Sequence, residues 1–415
     1  MRRVSTDMPN DDMQYRMRRN EAALSSMQSK MASQTRIKEL RDDPLAAAHA
    51  VRYESYLARL DRFEGNALYA RDHFKTADGY LRQAQDVMQR VRELAVQGAN
   101  GTYAAEDLRY MGVEVNELLK ELVSTANAIG PDGKRLFAGD KAFTEPFRII
   151  EGSAAGASET IVTAVEYQGS GGSRRTEVSE GAYSELDIGG GEAFWAEKMQ
   201  IFSSVDATDW RAAESTAFFV DGVRVDLSAG DPLPAVVAKI NDSAAPVKAY
   251  VDPVTRGIAL EGTSAHLIRL EDARGSSALK ELGILKTVSD PSAPAWNATA
   301  RVSGGSAFDM VLRLRDALYR GDSETAGGQA LAGIDLALDN LGSRLAEVGS
   351  RQERAEMTWK RVNEAIPDVT ANLARESSLD FTKAATDLGM LEFAHKATLQ
   401  TAAKIIQPTL LDFLR

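Results

Sequence analysis

The sequence predicts an α+β protein: a long antiparallel helical bundle, or coiled-coil rod, built from both chain ends and carrying a β-rich insert. Three observations predict it. From Tyr53 to Ala95, uncharged and mostly apolar residues recur alternately three and four positions apart, the spacing that lays one narrow seam along a helix. A second such run extends from Leu331 to Leu373. Between them, over about 148–304, the pattern changes to short alternating stretches separated by Gly and Ser clusters, which read as strands and loops.

Composition narrows the function classes. The 415 residues are 44% hydrophobic and 26% charged, with a net charge of -11, ordinary for a chain that buries a core. An acidic balance argues against general affinity for nucleic acid or anionic lipid. Cysteine is absent, which excludes disulfides, thiolate metal sites and cysteine nucleophiles. No run of some eighteen apolar residues is present, so no transmembrane helix is expected. Met1-Arg2-Arg3-Val4 has no apolar stretch after its basic residues, so a secretory signal peptide is not expected either.

Residues 1–12 read as irregular. A helix is expected from Met13, with Met17, Leu24, Met27 and Met31 at heptad spacing and Asn20 on the same seam. Methionines there suit core packing or a seam that accepts a helix from another subunit, and a seam Asn fixes register at a cost in stability. The helix is expected to stop near Asp42-Asp43-Pro44: Asp43 can cap the next helix, with Pro44 at its first position. That helix runs from Leu45 to about Gln97 and carries Tyr53, Tyr56, Leu60, Phe63, Ala67, Ala70, Phe74, Ala77, Leu81, Ala84, Met88, Val91 and Ala95 on one seam. The seam portion alone would be ~65 Å long at 1.5 Å per residue, so it needs equally long partners. Gly98 and Asn100-Gly101 break it, and a third helix from about Ala104 to Ile129 follows with Leu108, Met111, Val115, Leu118, Leu122, Thr125 and Ile129 as its seam. The short break makes the two antiparallel neighbours.

Gly130-Pro131-Asp132-Gly133 is a turn, and Leu136-Phe137-Ala138-Gly139 and Phe143 to Phe147 read as short extended pieces. In the insert, Phe218-Phe219-Val220, Asp221-Gly222 and Val223 to Leu227 form a hairpin with a two-residue turn. A short helix with Leu233, Val236, Val237 and Ile240 follows, then strands at Val247 to Val251, Gly257 to Leu260 and Leu267 to Leu270, and an apolar segment from Leu279 to Leu285. Trp195 and Trp210 are placed in this domain. Its glycine clusters lack a Walker lysine and a strand-GxGxxG-helix setting, so they are not phosphate cradles.

Helical periodicity returns at Phe308 and breaks at Gly321 and Gly327-Gly328. It then continues through Leu331, Ile334, Leu338, Leu341, Leu345, Val348, Gln352, Ala355, Trp359, Val362, Ile366, Val369 and Leu373. Pro367 falls inside this run, where proline costs ~3 kcal/mol; a kink, or a helix end with a restart near Val369, is expected. The last helix, from about Leu379 to Ile406, puts Phe381, Ala384 or Ala385, Leu388, Leu391, Leu399, Ala402 and Ile405 on one face. Leu410, Leu411, Phe413 and Leu414 then make an apolar end that something is expected to cover.

Both chain ends therefore carry seams that must pair in space. The expected organisation is terminal assembly helices at 1–42 and 379–415, a helical rod core at 43–147 and 305–378, and the insert at 148–304. Leu60, Phe63, Phe74, Leu81, Met88, Leu338, Leu341, Leu345 and Trp359 are assigned to the rod core. Met17, Leu24, Met27, Met31, Phe381, Leu388, Leu391, Leu399, Ile405, Leu410, Leu411, Phe413 and Leu414 are assigned to the terminal seams. No catalytic constellation converges: His49, His73, His266 and His395 are scattered without metal spacing, His49 and His73 are read as helix-surface residues, and no cofactor or enzymatic activity is expected.

These residues resemble the flagellin superfamily of bacterial axial proteins, and within it the hook-associated group that joins hook to filament. The similarity lies in Met1 to Thr6, Arg36-Ile37 with Asp42-Asp43-Pro44 and Ala46-Ala47-Ala48, Ala99-Asn100-Gly101-Thr102, Glu347 to Arg351 and Leu410 to Leu414. Leu136-Phe137-Ala138-Gly139 with Pro146-Phe147 favours the junction group over filament flagellin, and Phe219 to Asn241 resembles an insert found in several axial proteins. Arg3 and Pro367 depart from the pattern. The resemblance implies export through the flagellar type III apparatus without a cleaved signal, to a flagellum outside the cytoplasm, extracellular or periplasmic. It implies terminal helices that are disordered in the monomer and fold on assembly. The implied partners are other copies in a ring, a hook-associated protein on the hook side, flagellin on the filament side and an export chaperone on the C-terminal helix. Filament flagellin itself is the alternative.

Overall fold

The computed structural model describes residues 8–153, 160–286 and 296–405. Its elements, in chain order, are helices α1 (Met8–Ser33), α2 (Pro44–Ala99) and α3 (Ala105–Ala126), then strands β1 (Phe147–Gly152), β2 (Ile161–Tyr167), β3 (Arg175–Ser179) and β4 (Ala182–Glu185). A short turn α4 (Gly190–Ala193) precedes β5 (Gln200–Phe202), β6 (Thr216–Val220), β7 (Val223–Leu227), α5 (Leu233–Asp242), β8 (Val247–Val251), β9 (Ile258–Gly262), β10 (Leu270–Asp272) and α6 (Ala278–Glu281). After β11 (Arg301–Ser303) come α7 (Ala307–Arg320), a three-residue turn α8 (Ser323–Thr325), a π-helical turn at Ala326–Ala330, α9 (Leu331–Ser377) and α10 (Phe381–Ile405). The α+β class with its sheet-rich insert is as the sequence predicts.

The chain forms two compact units, 66–358 and the paired ends 1–65 with 359–415, and α2 and α9 contribute residues to both. In the larger unit, α2, α3, α7 and α9 share one core containing Phe74, Leu81, Met88 and Leu94 with Val115, Leu119, Leu122, Val311, Leu314, Ile334 and Leu341. Every seam residue of α2 from Ala67 to Ala95 is fully buried. Leu338 and Leu345 are half-buried against the same core. The ion pairs Arg92–Asp335 at 2.5 Å and Arg71–Glu356 at 3.3 Å show that α2 and α9 run antiparallel. Arg90–Glu114 at 2.7 Å links α2 to α3. Serine caps α7: Ser306 Oγ accepts from the Asp309 N–H at 3.2 Å and Asp309 accepts from the Ser306 N–H at 2.8 Å, the reciprocal pair that starts a helix.

Leu136, Phe137 and Ala138 are fully buried. Phe137 meets Phe194 edge-on at 5.3 Å between ring centroids, Phe147 lies 4.8 Å from Phe308, and Phe194 stacks on Phe308 at 5.6 Å. Gly139 ends this loop at φ 65, where a Cβ would sit 2.6 Å from the Ser170 carbonyl, so only glycine fits. These residues thus build an aromatic core.

A second core fills the insert. It is enclosed by the antiparallel sheets β10-β6-β7 and β11-β5-β9-β8, with α5 and α6, and includes Phe218, Val236, Ile240, Leu260 and Leu279. The hairpin turn has φ 50 at Asp221 and φ 80 at Gly222, the doubly left-handed geometry that Asp-Gly favours between twisted strands.

Several expectations need correction. The first helix ends at Ser33, with Gln34 in the left-handed region at φ 55; residues 34–36 instead cross-link to 376–379, as described below. Helix α9 continues through Pro367 without ending. Pro367 and Asn363, whose carbonyl loses its partner, are both solvent-exposed, while Val362, Ile366 and Val369 hold the buried side. Ile129 lies beyond α3 and is exposed, and Leu267 to Ile268 precede β10 instead of forming it. Trp210 packs on the insert core, but the Trp195 carbonyl is held by Asn340 of α9 at 2.8 Å. His73 is 4% exposed instead of lying on the helix surface, and its Nε2 has no hydrogen-bond partner.

Candidate assembly surface

In the unit formed by the ends, Leu60 and Phe63 of α2 pack with Val362 and Val369 of α9, flanked by Tyr53, Leu57 and Ile366; Trp359 is half-buried. His49 Nδ1 lies 3.4 Å from Glu376 Oε1. The link to the terminal helices is a short brace. Arg36 N–H donates to the Ser377 carbonyl at 2.8 Å, Leu379 N–H to Gln34 at 3.1 Å, and Thr35 and Ser378 form an isolated antiparallel bridge. Arg36 also donates through its side chain to Glu376 O at 2.9 Å and pairs with Asp43 at 3.0 Å.

Asp43 caps α2, and Asp42 closes the turn before it. Asp43 Oδ1 accepts the Ala46 N–H at 3.1 Å and Asp42 Oδ2 accepts the Lys38 N–H at 3.1 Å. The Ala46 N–H and the Arg36 guanidinium hold the Asp43 carboxyl below its usual value, and the Lys38 N–H and Lys30 do the same for Asp42.

Helices α1 and α10 pack along each other. Met17, Asn20, Leu24, Met27 and Met31 are half-buried on α1. On α10, Ala384, Leu388, Leu391, His395, Thr398 and Ala402 are buried or half-buried. Two residues expected on that seam lie outside it: Phe381 is 59% and Leu399 42% exposed. The inward stripe follows Ala384-Leu388-Leu391-His395-Thr398-Ala402, which at 100° per residue turns positions 381 and 399 to its edge. His395 and Thr398 went unread in the sequence because a polar residue breaks an apolar period; a histidine and a threonine at seam spacing were the available signal. The side chain of Ile405, and Leu410, Leu411, Phe413 and Leu414, lie outside the described residues.

The opposite face of α10 is apolar as well. Phe393 is 76% and Met390 64% exposed, with Ala385, Gly389 and Ala397 between and beside them, also exposed. Exposed apolar side chains on one helix face form the kind of patch against which another apolar surface can pack. Against the α2 seam from Ala67 to Ala95, which is fully buried, the α1–α10 seam is thin: its large residues are only half-buried, so it recovers a fraction of the ~1.5–3 kcal/mol that full burial of each would supply.

Among the described residues, no group of three or more His, Asp or Glu side chains is placed to hold a metal ion, and no helix is long and apolar enough to cross a membrane.

Residues 4–142 match the family described as bacterial flagellin N-terminal helical region. The matched segment is the N-terminal part of the chain, and it is similar to flagellins there. Flagellin FlaB1 of Treponema pallidum is 35% identical over 124 residues, 30% of this chain and 43% of that protein; the match thus spans less than half of that relative. Polar flagellin F of Vibrio parahaemolyticus is 24% identical over 371 residues, 88% of this chain and 86% of that protein. Among solved structures, flagellar hook-associated protein 3 of Legionella pneumophila aligns over 78% of this chain and 97% of its own, at 18% identity and a TM-score of 0.45.

Proposed function

We propose that this chain is a flagellar structural subunit that forms the junction between hook and filament and polymerises through its terminal helices after type III export. The observation that carries the assembly role is α10, with one apolar face on α1 and a second, bearing Met390 and Phe393, facing solvent. Neighbouring copies would cover that second face in a ring. The thin α1–α10 seam supports ordering of these helices on assembly: fixing each residue costs ~1–2 kcal/mol of backbone entropy, and full burial comes only with neighbours. An export chaperone on the C-terminal helix would shield the same surface beforehand. A hook-associated protein on one side and flagellin on the other complete the partner set. The buried Leu136-Phe137-Ala138-Gly139 loop, with Phe147 against it, supports the junction role through its resemblance to that group.

Filament flagellin is the second reading, favoured by the similarity to FlaB1 and polar flagellin F. A strain lacking this gene separates them. Intact hooks with filament protein made and lost to the medium support the junction role; filaments still attached to hooks contradict it.

A further inference from the structure

The segment Ser264–Arg269 ties the sheet core of the insert to Gly169, Gly191 and Tyr167, of which Tyr167 packs in the helical core, and a histidine sits at its centre. On the insert side, the Arg269 N–H donates to Asp221 Oδ1 and the Asp221 N–H to the Arg269 carbonyl, both at 2.8 Å. On the other side, the Leu267 N–H donates to Gly191 O at 2.9 Å, and the Arg269 guanidinium donates to Gly169 O and lies 5.0 Å over the Tyr167 ring. Tyr167 in turn donates to Phe137 O at 3.0 Å, which joins this strap to the buried aromatic loop.

His266 is 4% exposed. Its Nε2 lies 3.2 Å from Asp221 Oδ2 and its Nδ1 2.9 Å from the Ser264 carbonyl. Both atoms are acceptors, and a neutral imidazole has one N–H to offer. Only the imidazolium satisfies both. The Ser264 hydroxyl, 3.3 Å from Nδ1, supplies the alternative: on proton loss it donates to Nδ1, and the carbonyl is left without its donor.

We propose that His266, held as imidazolium between Asp221 and the Ser264 carbonyl, is a proton-dependent fastening of the insert to the Tyr167–Phe137 region. Among the described residues that line the same pocket, the charged groups are Asp221 on the hairpin turn, Glu192 of α4 and the Arg269 guanidinium on the strap itself, and Tyr167 of β2 is the other titratable one. Burial alone would depress the imidazolium, but the hydrogen bond and charge of Asp221, the Ser264 carbonyl and the more distant Glu192 outweigh it and raise the value. Tyr167, pushed up to about 12 by burial, stays a neutral phenol throughout. With the folded value above the unfolded one near 6.5, the stabilisation is complete below the unfolded value and is lost as pH rises through the folded one. Acid therefore fastens the insert and alkali loosens it.

Two measurements on the full chain test this. With histidine ring carbons labelled, the NMR signal that vanishes in His266→Gln should titrate above an unfolded histidine; titration at or below that value overturns the proposal. Between pH 6 and 9, hydrogen-exchange protection of 217–227 and 264–272 should fall about tenfold per unit by which the pKa is raised. In His266→Gln the protection should not vary with pH. A flat wild-type profile, or an unchanged pH dependence in the variant, contradicts it.

Discussion

Asn20 of α1 donates its side-chain N–H to the Thr398 hydroxyl of α10 at 3.0 Å, while that hydroxyl donates to Ala394 O at 2.7 Å. A half-buried polar pair on an otherwise apolar seam selects one axial alignment of the two helices. A double-mutant cycle with Asn20→Ala and Thr398→Val, read by denaturant unfolding of assembled particles, should give a coupling of about 0.5–1.5 kcal/mol. A coupling indistinguishable from zero would leave register to the apolar residues alone.

Phe393 and Met390 carry the outward face of α10. Phe393→Asp should abolish assembly onto purified hooks in a sedimentation assay. Its effect on unfolding of the larger unit should stay within about 0.5 kcal/mol, as for exposed sites elsewhere. Unchanged co-sedimentation would remove α10 from the interface.

Limited proteolysis addresses ordering of the ends. The dilute monomer should be trimmed quickly to a stable fragment between about residues 45 and 375, and the assembled form should resist. Full protection of α1 and α10 in the dilute monomer contradicts folding on assembly.

Phe194 sits at the centre of the aromatic core, against Phe137, Phe147 and Phe308. Phe194→Ala should cost about 3–5 kcal/mol, the usual range for emptying a buried aromatic site, measured as the shift in chemical denaturation. A loss under 1 kcal/mol would mean that the cluster is not a packed core.

His73 lies against Tyr69, with ring centroids 6.1 Å apart, and burial holds its pKa below the usual histidine value. The unfolded chain then takes up a proton that the folded chain refuses, so stability is full above about 6.5 and falls as pH drops below it. His73→Phe should flatten that decline between pH 7 and 5 and remove an unsatisfied buried nitrogen, a gain of about 1–3 kcal/mol. A variant with unchanged acid sensitivity places the titrating group elsewhere.

The long seam was legible because its residues from Ala67 to Ala95 obey one period over many turns, and all of them are buried, with His73, Val87 and Leu94 beside them buried as well. The turn chemistry of Asp221-Gly222 and the cap at Asp43 were legible for the same reason: local geometry demands those residue types. What escaped was decided by tertiary partners. Strands β3, β4, β5 and β11 have three to five residues each, too few to show alternation. The end of α1 at Ser33 depends on a bridge to Ser378, more than three hundred residues away. On α10, alanines flank the seam on both sides, so the sequence could not orient Phe381 and Leu399, and the half-buried His395 and Thr398 passed as polar interruptions.

The central claim is the location of this chain between hook and filament. The β3–β4 turn at Glu180-Gly181 is exposed and accepts an epitope tag without touching either core. Immunogold electron microscopy of isolated hook–filament complexes from the tagged strain should show label in one band at the boundary. Label along the whole filament, or absent from the boundary, contradicts the account.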